Sequence, residues 1–189
     1  NMFRTHEKNN ADITIATIPV DGKDATGFGI LKSDKNNKVV SFIEKPSADQ
    51  LPQWESETGD TLKKEGRVYL ASMGIYLFKK KVLMDLLNVE NAEAKDFGKE
   101  VIPSCISNYH VFSYQYSGYW TDIGNISSFF EANLALTQEL PPFNLFDNDN
   151  RVFSRARMLP PAKISSTSFL NAIVSEGCIV HAKQVENCV

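Results

Sequence analysis

Residues 28–46 read FGILKSDKNNKVVSFIEKP. FGILKSD and KVVSFIEKP flank Lys35-Asn36-Asn37, the pattern of a β-hairpin with its turn at Asn36-Asn37. The second run ends in Glu44, Lys45 and Pro46, where a strand leaves its sheet. A lysine ammonium is a point charge with three donors and suits a phosphate. Pro46 restricts the backbone at that exit and can aim the two side chains before it. Glu44 can accept hydrogen bonds from sugar hydroxyls. On the residues alone a strand end with two solvated charges is the commoner outcome for so short a motif. Gly29, on the partner strand, lacks Cβ and lets a ligand approach the backbone, or is simply a glycine opening a strand. The GxG at residues 27–29 opens a strand, not a helix, and no GK[ST] follows. It is neither a dinucleotide loop nor a P-loop.

Outward from the hairpin, strands alternate with helices. The first residues look like a helix tail ended by Asn9-Asn10. ADITIATIPV (11–20) reads as a buried strand. Residues 47–67 read as an exposed polar excursion. VYLASMGIYLF (68–78) reads as a second buried strand and runs into a helix with Val82, Leu83, Leu86 and Leu87 on one face. Asp96 is a candidate N-cap for a short helix bent at Pro103. HVFSYQY (110–116) alternates as a strand, and GYWTDIGN (118–125) is loop-like. Asn125 is a candidate cap for a helix with Ile126, Phe129, Phe130 and Leu134 on one side. The order indicates an α/β fold whose sheet is made mixed by the hairpin.

After the turn-rich stretch 141–150 the pattern changes. Ile173, Ile179 and Val185 recur every six residues, the period of a hexapeptide β-helix. The expected organisation is therefore an α/β part over 1–140, a linker over 141–170 and the first coils of a β-helix over 171–189.

The chain has 189 residues, 42% hydrophobic, with a formal net charge of -3. That suits a real core and gives no basic footprint for nucleic acid. No segment approaches the roughly 18 apolar residues of a membrane span, and the polar first ten residues lack a signal peptide's apolar run. Three cysteines (Cys105, Cys178, Cys188) form no CxxC and read as buried, reduced thiols of a cytoplasmic protein. The three histidines are scattered, without zinc spacing.

Two further places can carry chemistry. Asp122 sits between a tryptophan and a helix start. A carboxylate there can ligate Mg²⁺, which takes one or two carboxylates plus phosphate oxygens, or it can cap the helix. Ser72 and Tyr76 flank Gly74, and Ser72 can bond a sugar hydroxyl. Met73 and Phe78 read as core. Cys105 has no evident base partner and no Ser/His/Asp arrangement stands out, so hydrolase chemistry has no support.

Six segments in order, namely FGILKSDKNNKVVSFIEKP, YLASMGIYLF, DFGKEVIP, GYWTDIGNISSFFEANLAL, LPPAKI and NAIVSEGCIV, resemble glucose-1-phosphate adenylyltransferase, the ADP-glucose pyrophosphorylase family. The FGI…EKP part is shared with other sugar-nucleotide pyrophosphorylases. LASMGIY, YWTDIG and LPPAKI favour the ADP-glucose branch.

The resemblance implies a Rossmann-like nucleotide-diphospho-sugar transferase domain followed by a left-handed β-helix, in an allosteric, tetrameric, cytoplasmic enzyme of glycogen or starch synthesis. The implied reaction joins ATP and α-D-glucose 1-phosphate to give ADP-glucose and pyrophosphate. By resemblance Lys45 binds the sugar phosphate, and Gly29, Glu44 and Ser72 border the glucosyl group, with Tyr76 beside them. Asp122 matches the family's second Mg²⁺-binding aspartate. Thr121 stands where bacterial members often carry arginine, which leaves one phosphate contact without its usual side chain. The family's glycine-rich nucleotide loop and first metal-binding aspartate are not found in these residues, so the chain as given is expected to be inactive or nearly so alone. Two other readings follow from the same residues. One is a pyrophosphorylase for another nucleotide or sugar phosphate. The other is a non-catalytic regulatory or assembly subunit of the same fold.

Overall fold

In a computed structural model of the chain, which describes residues 1–149, 151–155 and 157–189, the N-terminal residues form helix α1 (Met2–Lys8). Asn1 caps it, accepting from the Phe3 amide, and Asn9 ends it, with Asn10 at φ 43°. The β-branched run that follows is strand β1 (Ile13–Val20), buried along its whole length. Its neighbours explain that burial. β1 pairs antiparallel with β4 (Tyr69–Phe78) on one side and parallel with β5 (Val111–Gln115) on the other. The hairpin lies beyond β4, as β2 (Gly29–Ser33) and β3 (Val39–Glu44), and the sheet order is β3-β2-β4-β1-β5. The sheet is mixed, as the hairpin pattern implies. Asn37 takes φ 63° in the turn, and the Asp34 carboxylate accepts from the Asn36 and Lys38 amides. The core under the sheet is built from Ile13, Ile15, Leu31, Leu70, Leu86 and Ile102, all at most 1% exposed.

The chain divides into two compact units, Asn1–Ser117 and Gly118–Val189. In the first, the short helix α2 (Gly22–Ala25) is capped by Asp21. The excursion at 47–67 is mostly exposed but tied down. Leu51 is buried in a 3-10 turn, Thr58 is buried, and Arg67, beyond helix α3 (Asp60–Lys64), donates twice to the Pro19 carbonyl. Helix α4 (Lys80–Asp85) passes into a π-turn at Leu86–Glu90. Of the apolar face expected here, Leu86 is buried and Val82 packs on the core, but Leu87 is exposed. The wider turn rotates it off the core side. A second π-turn, Phe97–Val101, leads into helix α5 (Ile102–Cys105) with Pro103 in its first turn, where a missing N–H costs nothing. The Asp96 carboxylate accepts from the Lys99 amide, while Glu100 accepts from the Lys95 and Asp96 amides, a reciprocal cap.

β4 departs from the buried strand read in the sequence. Only Tyr69, Leu70 and Ala71 are buried, and Gly74 and Ile75 are exposed. Ile15 pairs with Tyr76 but Thr17 pairs with Ser72, so residues 73–75 stand opposite Ala16 alone. This is an enlarged bulge, and Gly74 turns it at φ 69°.

One end of the sheet is stapled by charge. Lys79 Nζ lies 2.9 Å from Asp12 Oδ1, and Asp12 Oδ2 accepts from the His110 amide at 2.9 Å, joining the ends of β1, β4 and β5. Burial opposes the charge on Asp12, but the His110 N–H and the Lys79 ammonium outweigh it and hold the carboxyl below its ordinary value. A lowered folded pKa contributes stability above the unfolded value, and that contribution is lost as pH falls through the folded one. Because Lys79 is partly exposed, Asp12→Asn should cost only about 1 kcal/mol at neutral pH. In urea melts the gap between wild type and variant should close as pH drops below about 4.

Among the cysteines only Cys105 is buried; Cys178 is half-buried and Cys188 exposed, so the expectation of buried thiols fails for Cys188. Cys105 donates to the Val101 carbonyl, and burial pushes its thiol up to about 11, which leaves it inert. His6 is buried with Nδ1 2.8 Å from Thr14 Oγ1, and burial followed by the nearby Lys79 charge lowers its pKa.

In the second unit, helix α6 (Ile126–Ala135) starts at Asn125, whose side chain accepts from the Ser128 amide at 2.9 Å. The side that carries Ile126, Phe129 and Phe130 is largely open: Ile126 is 88% exposed, and Phe129 and Phe130 are exposed as well. Further on, β6 (Lys163–Ser165) pairs parallel with β8 (Ile179–His181), and β7 (Ser168–Ala172) pairs parallel with β9 (Gln184–Cys188). Parallel strands succeeding one another this way form a coil. Lys163 faces Ile179 and Ser168 faces Gln184, so one turn takes sixteen residues, which steps of six do not divide. Accordingly Ile179 is 81% exposed, while Val180 and Val185 are half-buried. Alternation along β8 gives Val180 the face that the hexad count assigned to Ile179.

Candidate active site

The first unit carries four of the sequence-derived site residues at the start of β2, the end of β3 and the bulge of β4. Gly29 pairs directly with Glu44 across the hairpin. A Cβ at Gly29 would lie 2.4 Å from Phe42 Cζ and 2.7 Å from Glu44 Oε2, so the glycine is required by the side chains folded over it. The bulge in β4 sets Ser72 Oγ 3.4 Å from Tyr76 Oη, and Ser72 Oγ also accepts from the Gly74 amide. Burial raises the Tyr76 pKa, and the negative charges of Glu44 and Asp96 add to that, against the hydrogen bond from Ser72. The phenol therefore stays protonated at neutral pH and presents a hydroxyl donor. Its ring packs on Phe97, centroids 5.3 Å apart.

Two residues of this cluster were not read as site residues from the sequence. Asp96 was identified only as a helix cap, which it is. Gly98 carries no site role in the sequence reading beyond lying in DFGKEVIP, although a Cβ on it would meet Glu44 Oε2 at 3.0 Å. The available signal was a glycine in the first turn of a helix, where glycine is a poor helix former. No hydrogen bond to the Glu44 carboxylate is made among the described residues, and the group is half-buried. It is an acceptor held in place by packing and open to a ligand.

Lys45 follows immediately. It is exposed, its amide donates to the Phe28 carbonyl at 3.0 Å, and its backbone has φ 49°. A lysine in the left-handed region is uncommon and costs about 1 kcal/mol or more. The chain thus turns sharply at the residue bearing the free ammonium, next to the Glu44 carboxylate and over a buried Pro46. Such a cluster has acceptors and neutral hydroxyls suited to a polyol, with a cation at its rim suited to a phosphate.

Asp122 belongs to the second unit. It is exposed, and its Oδ2 would lie 3.0 Å from a Cβ on Gly124. The cap of α6 is Asn125, so the carboxylate is not used as a helix cap. Among the described residues no group of three or more His, Cys, Asp or Glu is placed to hold a metal ion. A lone exposed carboxylate still fits Mg²⁺, which binds through one or two carboxylates and takes its other oxygens from phosphates and water. Among those residues, too, no helix is long and apolar enough to cross a membrane.

A mixed sheet followed by a parallel coil defines a class. The nucleotidyl transferase family model matches residues 1–139, and the chain belongs to that family. A second model, the GLGC left-handed parallel beta-helix domain, matches residues 157–189. The coil is therefore the start of a left-handed β-helix, and the two domains in this order are those of a sugar-phosphate nucleotidyltransferase of the GLGC type.

Proposed function

We propose that the chain is part of a glucose-1-phosphate adenylyltransferase and carries its sugar-phosphate site. The observation that carries this reading is the juxtaposition, within one unit, of an unpartnered Glu44 carboxylate and the strained, exposed Lys45. Lys45 binds the phosphate of α-D-glucose 1-phosphate. Glu44 accepts from glucosyl hydroxyls, and Ser72 and Tyr76 supply hydroxyl contacts, while Gly29 leaves room at the backbone.

In the reaction a phosphate oxygen of glucose 1-phosphate attacks the α-phosphorus of ATP in line. The bond to the bridging oxygen breaks, and pyrophosphate leaves with its electron pair. The nucleophile is already ionised, so no general base is needed. What remains is positioning and charge neutralisation. Lys45 orients the attacking phosphate and offsets its charge. Asp122 would supply one carboxylate to Mg²⁺, which when bound neutralises phosphate charge.

Calorimetric titration of the chain with glucose 1-phosphate tests the proposal. Saturable binding that exceeds that of glucose 6-phosphate supports it. A folded sample that takes up no sugar phosphate would instead favour a non-catalytic assembly subunit.

A further inference from the structure

The position of the Glu44 carboxylate depends on two glycines from different elements. Gly29 comes from β2 and Gly98 from the π-turn after Asp96. Hypothetical Cβ atoms on the two would fall 2.7 Å and 3.0 Å from the same atom, Glu44 Oε2. The carboxylate therefore occupies a slot whose walls are bare backbone on both sides.

We infer that Gly98 is a positioning residue for sugar recognition, acting through Glu44. The inference rests on the sugar-phosphate reading above and deepens it. The two glycines differ in what a methyl would displace. At Gly29 it strikes the Phe42 ring, which packs on the core. At Gly98 the nearest atoms are Glu44 Oε2 and Cδ, at 3.0 and 3.4 Å, with Asp96 Oδ1 at 3.6 Å. The far end of a flexible glutamate gives way easily, so the fold loses little, and alanine suits a helical turn better than glycine. The displaced group is the carboxylate itself. Moving a hydrogen-bond acceptor by a few tenths of an ångström weakens its bonds to fixed hydroxyls. Lys45 lies outside the slot and keeps its hold on phosphate. Gly98→Ala should therefore reduce the preference for a sugar phosphate over bare phosphate, leaving stability equal or slightly raised.

The test uses the full chain in four forms: wild type, Gly98→Ala, Glu44→Ala and the double variant. Each is titrated with glucose 1-phosphate and, separately, with inorganic phosphate, and each is melted thermally. The expected result is a loss of about tenfold in glucose 1-phosphate affinity for Gly98→Ala, one missing charged hydrogen bond's worth. Phosphate affinity and the melting midpoint should stay put, and adding Gly98→Ala to Glu44→Ala should cost nothing more, as coupling through one group requires. If Gly98→Ala weakens both ligands equally, leaves both unchanged, or adds its full loss to Glu44→Ala, the positioning role is wrong while the sugar-phosphate site stands. If the wild type does not distinguish glucose 1-phosphate from phosphate, the site reading itself fails.

Discussion

Lys45→Ala should lower the affinity for glucose 1-phosphate by about 10- to 100-fold, the loss of a charge-assisted contact of roughly 1.5–3 kcal/mol. The chain should stay folded. Lys45 is exposed, and the one hydrogen bond described for it comes from its backbone amide, which alanine retains. The residual binding should also depend less on salt, because the phosphate has lost its point charge. Lys45→Gly separates backbone from side chain. Glycine adopts φ 49° without the Cβ penalty, so this variant should melt at or above the wild type, by up to about 1 kcal/mol, yet bind as poorly as the alanine variant. An unchanged affinity in both would mean that the ammonium does not meet the ligand.

Gly29→Ala should damage fold and site together. Its methyl would come within 2.4 Å of Phe42 Cζ, closer than any real contact, and neither the ring nor the sheet backbone gives way cheaply. Overpacking of this kind costs about 1–3 kcal/mol, or roughly 2–4 °C of melting midpoint per kcal/mol in a chain of this size. The same methyl pushes Glu44 aside, so glucose 1-phosphate affinity should fall at least about tenfold. Set beside Gly98→Ala, the comparison is informative. One glycine supports both the core and the acceptor, the other the acceptor alone. A Gly29→Ala variant with wild-type stability would show that Phe42 has room the packing does not indicate.

The hairpin was legible because its signals are local: two strand-like runs, turn residues at Asn36-Asn37, and a glycine opening the first strand. The Asp96 cap was legible for the same reason. The slot around Glu44 was not, because Gly98 is far from Glu44 in sequence and meets it only when the Phe97–Val101 turn packs against β3. The bulge in β4 left one trace, Gly74, and a lone glycine in a strand does not say how many residues bulge. Spacing does not report exposure. Ile126, Phe129 and Phe130 have helical spacing and lie in a helix, and most of their surface is open. Ile179 fits a six-residue count, but the turn length of the coil is set by strand pairing, which sequence spacing does not report.

The most direct test of the account is a backbone amide NMR titration of the chain with glucose 1-phosphate. Saturable shifts should concentrate at Gly29, Glu44, Lys45, Ser72, Tyr76 and Gly98, residues from four separate segments of the first unit. Inorganic phosphate should shift Lys45 and its neighbours while leaving Gly98 largely unmoved. Shifts that saturate elsewhere, or none at all from a well-dispersed spectrum, would contradict a sugar-phosphate site at these strand ends.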